Sequence, residues 1–283
     1  MARSALPKSK RQYVHVKNNE AQRLARKIGT AAPMPEYVEP LLATEGTPPR
    51  GERWVHEIKY DGYRFQLYFR NGLPSFLTRR GNDWTDKVKT VVAATAHIDS
   101  YNCIVDGEMV IPTEAGGTDF GDLKTELSLG NSDRLAFYAF DILYLDGFDL
   151  RRCGLLDRKE VLRLLLEKAD YPIVFSDHTD DLDGPGLFRE ACKANLEGIV
   201  SKRKDAPYSS GRSSYWIKKP CRQRDTFLVV AWAEKKRSST ESIWRSGTAR
   251  SLSTLVSSNV GSATKKESEC WPCSSHWRWQ SNR

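Results

Sequence analysis

WVHEIKYDGYRFQLYFRNG, residues 54–72, holds two short runs rich in β-branched and aromatic residues. The first, 54–60, stops at Asp61-Gly62, and the second, 64–69, is closed by Asn71-Gly72. Asp-Gly and Asn-Gly adopt tight-turn backbone at little cost, so this stretch predicts a hairpin or meander. It also leaves Lys59 at a strand end, beside Asp61 and close in sequence to Arg64.

Downstream of this stretch, SFLTR (75–79), CIVDGEMVI (103–111) and LAFYAFDILYL (135–145) are further apolar runs rich in β-formers. Between them DWTDKVKTVVAATAHI (83–98) predicts a helix with Asp or Thr as N-cap. The clearest helix is LLDRKEVLRLLLEKA (155–169), where leucine and valine recur at helical spacing beside charges. PIVFS (172–176) reads as a strand and PGLFREACKAN (185–195) as a helix with proline early. GIVSKR (198–203), SYWIKK (214–219) and DTFLVVAWAE (225–234) read as strands. The elements mix without βαβ alternation, which predicts an α+β domain with mainly antiparallel sheets.

Residues 1–32 carry many charges and little periodic apolar pattern, and read as a flexible basic leader. The Pro-rich text from Met34 to Thr47 reads as an extended lead-in, so the main domain is expected over 33–220. From about Arg237 serine is abundant and hydrophobic periodicity fades, which makes 221–283 a partial or degenerate region with an irregular tail. A reading frame lost near Arg237 would produce such an end. Cys270, Cys273 and His276 supply three of the four ligands that a structural zinc site takes, so they read as tail.

The 283 residues include 44 Lys and Arg against 36 Asp and Glu, a net charge of +8. That balance suits a polyanionic partner, because phosphate contacts release counterions; a merely basic soluble protein is equally open. With 39% hydrophobic residues the chain can bury a core. No run approaches the ~18 apolar residues of a membrane span, and the N-terminus lacks the apolar region of a secretory signal. A cytoplasmic protein without a membrane partner is expected. Six cysteines in this length do not read as a disulfide framework, and Cys103, Cys153, Cys192 and Cys221 are expected as free thiols.

A lysine attacks phosphorus only as the neutral amine, and its ordinary pKa is about 10.4. Burial and neighbouring cations would lower that value at Lys59. From KYDGYR alone, an exposed lysine entering a turn is an equal reading. Asp106-Gly107-Glu108 lies inside an apolar strand pattern, where an acid is costly unless paired or ligand-bound. Glu197 precedes a buried-type strand that ends in Lys202, and Trp216-Ile217-Lys218-Lys219 brings more cations. Each is an ordinary surface charge when taken singly; the ordered set is far more specific.

That set, KYDGYR, TRRGNDW, DGEMV, FYAFDILYLDG, EGIVSK and WIKK, resembles the nucleotidyltransferase motifs of ATP-dependent DNA ligases, in particular the bacterial end-joining type. The signature at Lys59 is shared with RNA ligases and mRNA capping enzymes, which stay open as alternatives, as does a degenerate, non-catalytic module that binds DNA ends. The resemblance implies an ATP-grasp-like adenylation domain of antiparallel sheets, followed by a truncated or atypical OB-type segment. It implies that Lys59 takes AMP from ATP and that the AMP activates the 5′-phosphate of a nick. By the same resemblance Glu57 meets the adenine edge, Phe140 stacks on adenine and Glu108 holds the ribose. Arg64 and Arg79 contact the nucleotide or 5′-phosphate, with Arg80 a weaker candidate. Lys202 and Lys218 neutralise the α-phosphate, and Glu197, helped by Asp61, binds Mg2+ or Mn2+. Nicked or broken double-stranded DNA, a Ku-type end-binding protein and a monomeric state are the implied partners and assembly. One departure stands out: the last motif of the family reads Lys-x-Lys, whereas here Pro220 takes the second lysine position, leaving Lys219 as a substitute.

Overall fold

The computed structural model describes residues 19–221 and, beyond them, the strands within 228–234, 240–246 and 253–256. Two compact units divide the chain, Met1–Cys221 and Arg222–Arg283. The first runs α1 (Glu20–Ile28), β1 (Thr30–Ala31), β2 (Leu41–Glu45), β3 (Trp54–Ile58), β4 (Tyr63–Arg70), β5 (Leu73–Thr78), α2 (Lys89–Ala94), β6 (Cys103–Val110), α3 (Phe120–Leu129), β7 (Ala136–Leu145) and β8 (Phe148–Asp149). It continues with α4 (Leu155–Leu165), β9 (Ile173–Phe175), α5 (Gly184–Lys193), β10 (Gly198–Arg203) and β11 (Gly211–Pro220).

One sheet has the order β1-β8-β7-β6-β4-β5, with β9 pairing β7; the other has the order β2-β11-β10-β3. All pairs are antiparallel except β7–β9 and β2–β11. The expected α+β class with mainly antiparallel sheets is what forms. Strand alternation sets the layers. On β4, Phe65, Leu67 and Phe69 enter the core covered by helices, against Ala21 and Ala25 of α1 and Val161 and Leu162 of α4. Tyr68, on the opposite face, joins Ile104 and Phe140 against Leu41, Tyr208 and Trp216, and so fills the space between the two sheets. Each such side chain contributes about 1.5–3 kcal/mol by leaving water.

Several expectations are corrected here. The supposed leader is ordered from residue 20: Asn19 and Gln22 form a capping box on α1, and Ala21 and Ala25 are buried. Alanines make a weak apolar stripe in sequence yet pack closely, which is why the helix was not legible. Residues 1–18 lie outside the described residues. The expected helix at 83–98 shortens to Lys89–Ala94, with a 3-10 turn on each side. Cys192 and Cys221 are not free thiols but form a disulfide, while Cys103 and Cys153 are free. That bond leaves no local signal, because it joins Cys192 of α5 to Cys221, 29 residues away and just past β11.

The second unit holds β12 (Leu228–Glu234), β13 (Thr240–Ser246) and β14 (Ser253–Val256) as an antiparallel meander. The first falls in a stretch read as a strand; the other two arise in text read as irregular. The group Cys270, Cys273 and His276 lies outside the described residues.

Two motif glycines sit where chains cross too closely for any side chain. A Cβ on Gly62 would lie 2.3 Å from the Met109 carbonyl oxygen. Gly198 has φ +147°, and its Cβ would lie 2.2 Å from the Lys219 carbonyl oxygen. Gly198→Ala is therefore expected to cost about 3 kcal/mol or more, strain and overlap together. Gly116→Ala, at φ +82° but with open space around it, should cost only about 1–2 kcal/mol. Chemical denaturation of both variants checks the contrast; equal losses would refute it.

Candidate active site

A cavity of about 270 Å3 opens between the two sheets. β2, β3, β10 and β11 form one wall; β4, β6 and β7 form the other. Of the residues singled out by resemblance, Glu57, Lys59, Arg64, Arg79, Glu108, Phe140, Lys202 and Lys218 line this space. Glu197 borders a second cavity of about 180 Å3, and Asp61 lines neither. Lys59 borders both cavities.

The position of Lys59 is set by its backbone, whose N–H donates to the Gly198 carbonyl at 2.9 Å. Its Nζ donates to Glu197 Oε1, and the two side chains are 24% and 27% exposed. This corrects one part of the sequence reading: the group directly facing the amine is a carboxylate rather than a cation. Burial holds the Glu197 carboxyl above its ordinary range, against the pull of Lys59 and Lys218, while nearby Asp61 pushes the same way as burial. Its other oxygen, Oε2, is buried without a hydrogen-bond partner.

Deeper in, Glu57 bridges two ammonium groups, accepting from Lys159 at 2.9 Å and from Lys202 at 2.7 Å. Lys202 Nζ also lies 4.4 Å from the Phe140 ring centre and 4.2 Å from that of Trp216. Burial lowers its pKa to about 8, although Glu57 favours the charge. Lys202 thus lines the cavity as expected, but its charge is engaged by Glu57. Arg64 makes two bonds to Asp106, at 2.6 and 2.7 Å, and its guanidinium lies 4.4 Å from the Phe140 ring centre. Burial raises Glu108 to about 8, against the pull of Arg64 and Lys59. Arg79 is fixed through its backbone, donating to the Arg64 carbonyl at 3.1 Å and accepting from Tyr37 at 2.8 Å. Lys218 faces the cavity; Lys219, the next residue of an extended strand, points the other way and does not line it. Arg80 does not line it either.

The sequence reading missed Tyr60, Ser176, Arg212 and Trp216, all of which border the cavity. Trp216 had a usable signal, because it lies two residues from Lys218 and hence on the same strand face. Ser176 had none: it follows a strand whose pairing partner is far away in sequence.

Comparison with known proteins bears on this geometry. A family model described as the ATP dependent DNA ligase domain matches residues 38–219. The chain belongs to this DNA ligase family. It is 39% identical over 214 residues to the multifunctional non-homologous end joining protein LigD of Pseudomonas aeruginosa, covering 75% of this chain and 25% of that protein. The SPbeta prophage-derived DNA ligase-like protein LigB of Bacillus subtilis is 29% identical over 202 residues, covering 70% of this chain and 73% of that one. Among solved structures, mycobacterial DNA ligase D complexed with ATP and MES aligns at TM-score 0.60 and 25% identity, covering 76% of this chain and 70% of that one. The chain thus spans about a quarter of the length of its LigD relative.

The shifts of Glu108 and Lys202 predict that a polyphosphate binds this cavity with a pH dependence. Below about 8 Glu108 is uncharged and Lys202 is charged. Raising the pH through that value adds one negative charge and removes one positive, and both changes oppose a polyphosphate. Affinity for α,β-methylene ATP, measured by calorimetry, should fall about tenfold or more between pH 7 and pH 9. Glu108→Gln removes one ionisation and should make the fall shallower. An unchanged affinity over that range would contradict this account.

Proposed function

We propose that this chain is the nucleotidyl-transfer part of an ATP-dependent DNA ligase that seals nicks in duplex DNA through a lysyl-AMP intermediate. The observation that carries the reading is Lys59, set between two cavities with its amine bonded to Glu197. Family membership supports the reaction class, and the chemistry of the lining supports the roles read for it. Phe140 and Trp216 present aromatic faces suited to a base. Glu57 suits the base edge and Glu108 the ribose. Arg64, Arg79, Lys202 and Lys218 are the cations for the anionic end.

The donor set also fits a hard divalent cation. Among the described residues no group of three or more His, Cys, Asp or Glu could hold a metal ion. Mg2+ or Mn2+ needs only one or two carboxylates, because it keeps water and takes phosphate oxygens. Glu197, through its unpartnered Oε2, and Asp61 would hold it. When bound, such an ion neutralises charge on the transferred phosphoryl group.

Lys59 reacts after giving up one proton, and Glu197 Oε1, already its hydrogen-bond acceptor, is placed to receive it. The nitrogen lone pair forms a bond to the α-phosphorus, and the bond to the β-phosphate oxygen breaks, so pyrophosphate leaves with the electron pair. A 5′-phosphate oxygen at the nick then attacks the same phosphorus and breaks the P–N bond, which returns Lys59. Finally the 3′-hydroxyl loses its proton, bonds to the 5′-phosphorus and releases AMP. In each step positioning and charge neutralisation do most of the catalysis.

Nicked or broken double-stranded DNA is the macromolecular partner in this reading, and the net charge of +8 supports it. We carry an end-joining repair role, a Ku-type partner, a monomeric state and a bacterial cytoplasmic setting from the kinship with LigD. Among the described residues no helix is long and apolar enough to cross a membrane. The β12–β14 meander is read as the opening of the expected OB-type segment.

Incubation with ATP and Mg2+ should add one AMP to the intact mass, mapped to Lys59. Lys59→Ala should abolish the adduct, and Glu197→Ala should slow its formation by about a hundredfold or more. Adduct formation that survives Lys59→Ala would sink the proposal, and label taken from GTP instead of ATP would turn it toward a capping-type enzyme.

A further inference from the structure

Glu57 is 3% exposed, yet its carboxylate faces the cavity from β3 and is held from two other elements. Lys159 of α4 donates to Oε1 and Lys202 of β10 donates to Oε2. The two lysines are not equivalent. Lys159 is 1% exposed and does not line the cavity. Besides Glu57, its ammonium has the Ser176 carbonyl at 2.8 Å and the Phe140 carbonyl at 3.5 Å. Three acceptors therefore surround its three donors. Lys202 lines the cavity, and its hydrogen bond is the one to Glu57.

We propose that Lys159 is a positioning residue that sets base selectivity, holding the Glu57 carboxylate aimed so that Oε2 accepts from the exocyclic amine of adenine. The inference rests on the ligase reading above. Its physical basis is geometry. Three acceptors fix the Lys159 ammonium, and the ammonium fixes the angle at which the carboxylate turns Oε2 to the cavity. A carboxylate only accepts, so it suits the amine of adenine and opposes a 6-oxopurine carbonyl. Lys202, on a long unbranched stem, is the partner that leaves Oε2 when the base arrives.

The test compares rates of lysine charging with ATP and with purine riboside triphosphate, which lacks the 6-amine. The proteins are wild type, Lys159→Met, Lys159→Arg and the double variant Glu57→Gln/Lys159→Met, with thermal melting run in parallel. Wild type should prefer ATP by about tenfold or more, the worth of one hydrogen bond to a charged group. Lys159→Met should lose most of that preference by slowing ATP selectively, and Lys159→Arg should restore it to within about threefold. Should Lys159→Met not fold, the double variant removes the carboxylate together with the cation behind it, leaves Lys202 an amide oxygen in place of that carboxylate, and takes its place; it should charge with both nucleotides at similar rates. A Lys159→Met or double variant that slows both nucleotides by the same factor, leaving the preference intact, would overturn the inference alone. A wild-type chain that takes no AMP from ATP would overturn the ligase reading and this inference with it.

Discussion

Between the two sheets, the fully buried carboxylate of Asp106 is satisfied from both sides. Arg64 on β4 donates to it twice, and the Tyr208 hydroxyl donates to Oδ2. The same hydroxyl accepts from the backbone of Leu41 on β2 at 2.9 Å. A charge with no access to water makes this clamp obligatory, because removing one partner of such a pair typically costs about 3–5 kcal/mol. Both sheets are thereby held at a fixed spacing, and that spacing is the cavity. Asp141 and Arg158 play the equivalent part toward α4: both are fully buried, and Arg158 also donates to the carbonyls of Cys153 and Ala206.

This framework explains the electrostatics of the site. Because Arg64 is spent on Asp106, it lies against Phe140 as a flat cationic surface rather than reaching outward. Glu108, two residues from Asp106 and on the same strand face, shares the dry environment and, among the described residues, forms no ion pair. Its proton is retained to about pH 8 for that reason. Glu57, on the opposite wall, is buried as well, and two lysines pair with it. The two acids that face the cavity from opposite walls therefore differ in what holds them: two ammonium groups at Glu57, and at Glu108 a burial that favours its proton.

Much of this was legible in the sequence where the signal was local. Turn pairs such as Asp61-Gly62 and Asn71-Gly72 bounded strands, and acids inside apolar runs marked Asp106 and Glu108 as costly groups needing partners. What stayed hidden depended on distant segments. Arg158 and Lys159 stand among leucines at helical spacing and read only as charges beside an apolar stripe, yet both are buried. A local pattern shows that a helix has a charged face; it does not show that a second buried layer with unpaired carboxylates waits on that face. The Cys192–Cys221 disulfide escaped for the same reason, and α1 because alanines form its apolar stripe. β13 and β14 escaped because their serine-rich text lacks the apolar alternation by which strands are read.

The departure at Pro220 lies at the crossing with Gly198. In the β10–β11 register Pro220 stands opposite Gly198, where the Gly198 Cβ position is already within 2.7 Å of the Pro220 Cα. A strand end that tight leaves the last position of β11 to backbone contact. Lys219 does not make up the loss, since alternation turns it away from the cavity. Arg212 does bring a second β11 cation to the same wall as Lys218, from the far side of the bulge between Ser213 and Ile217. An arginine also presents a planar fork suited to phosphate, where a lysine presents a point charge. The missing lysine of the motif therefore does not leave this strand with a single cation facing the cavity; the positive charge is set at its two ends, with Trp216 between them.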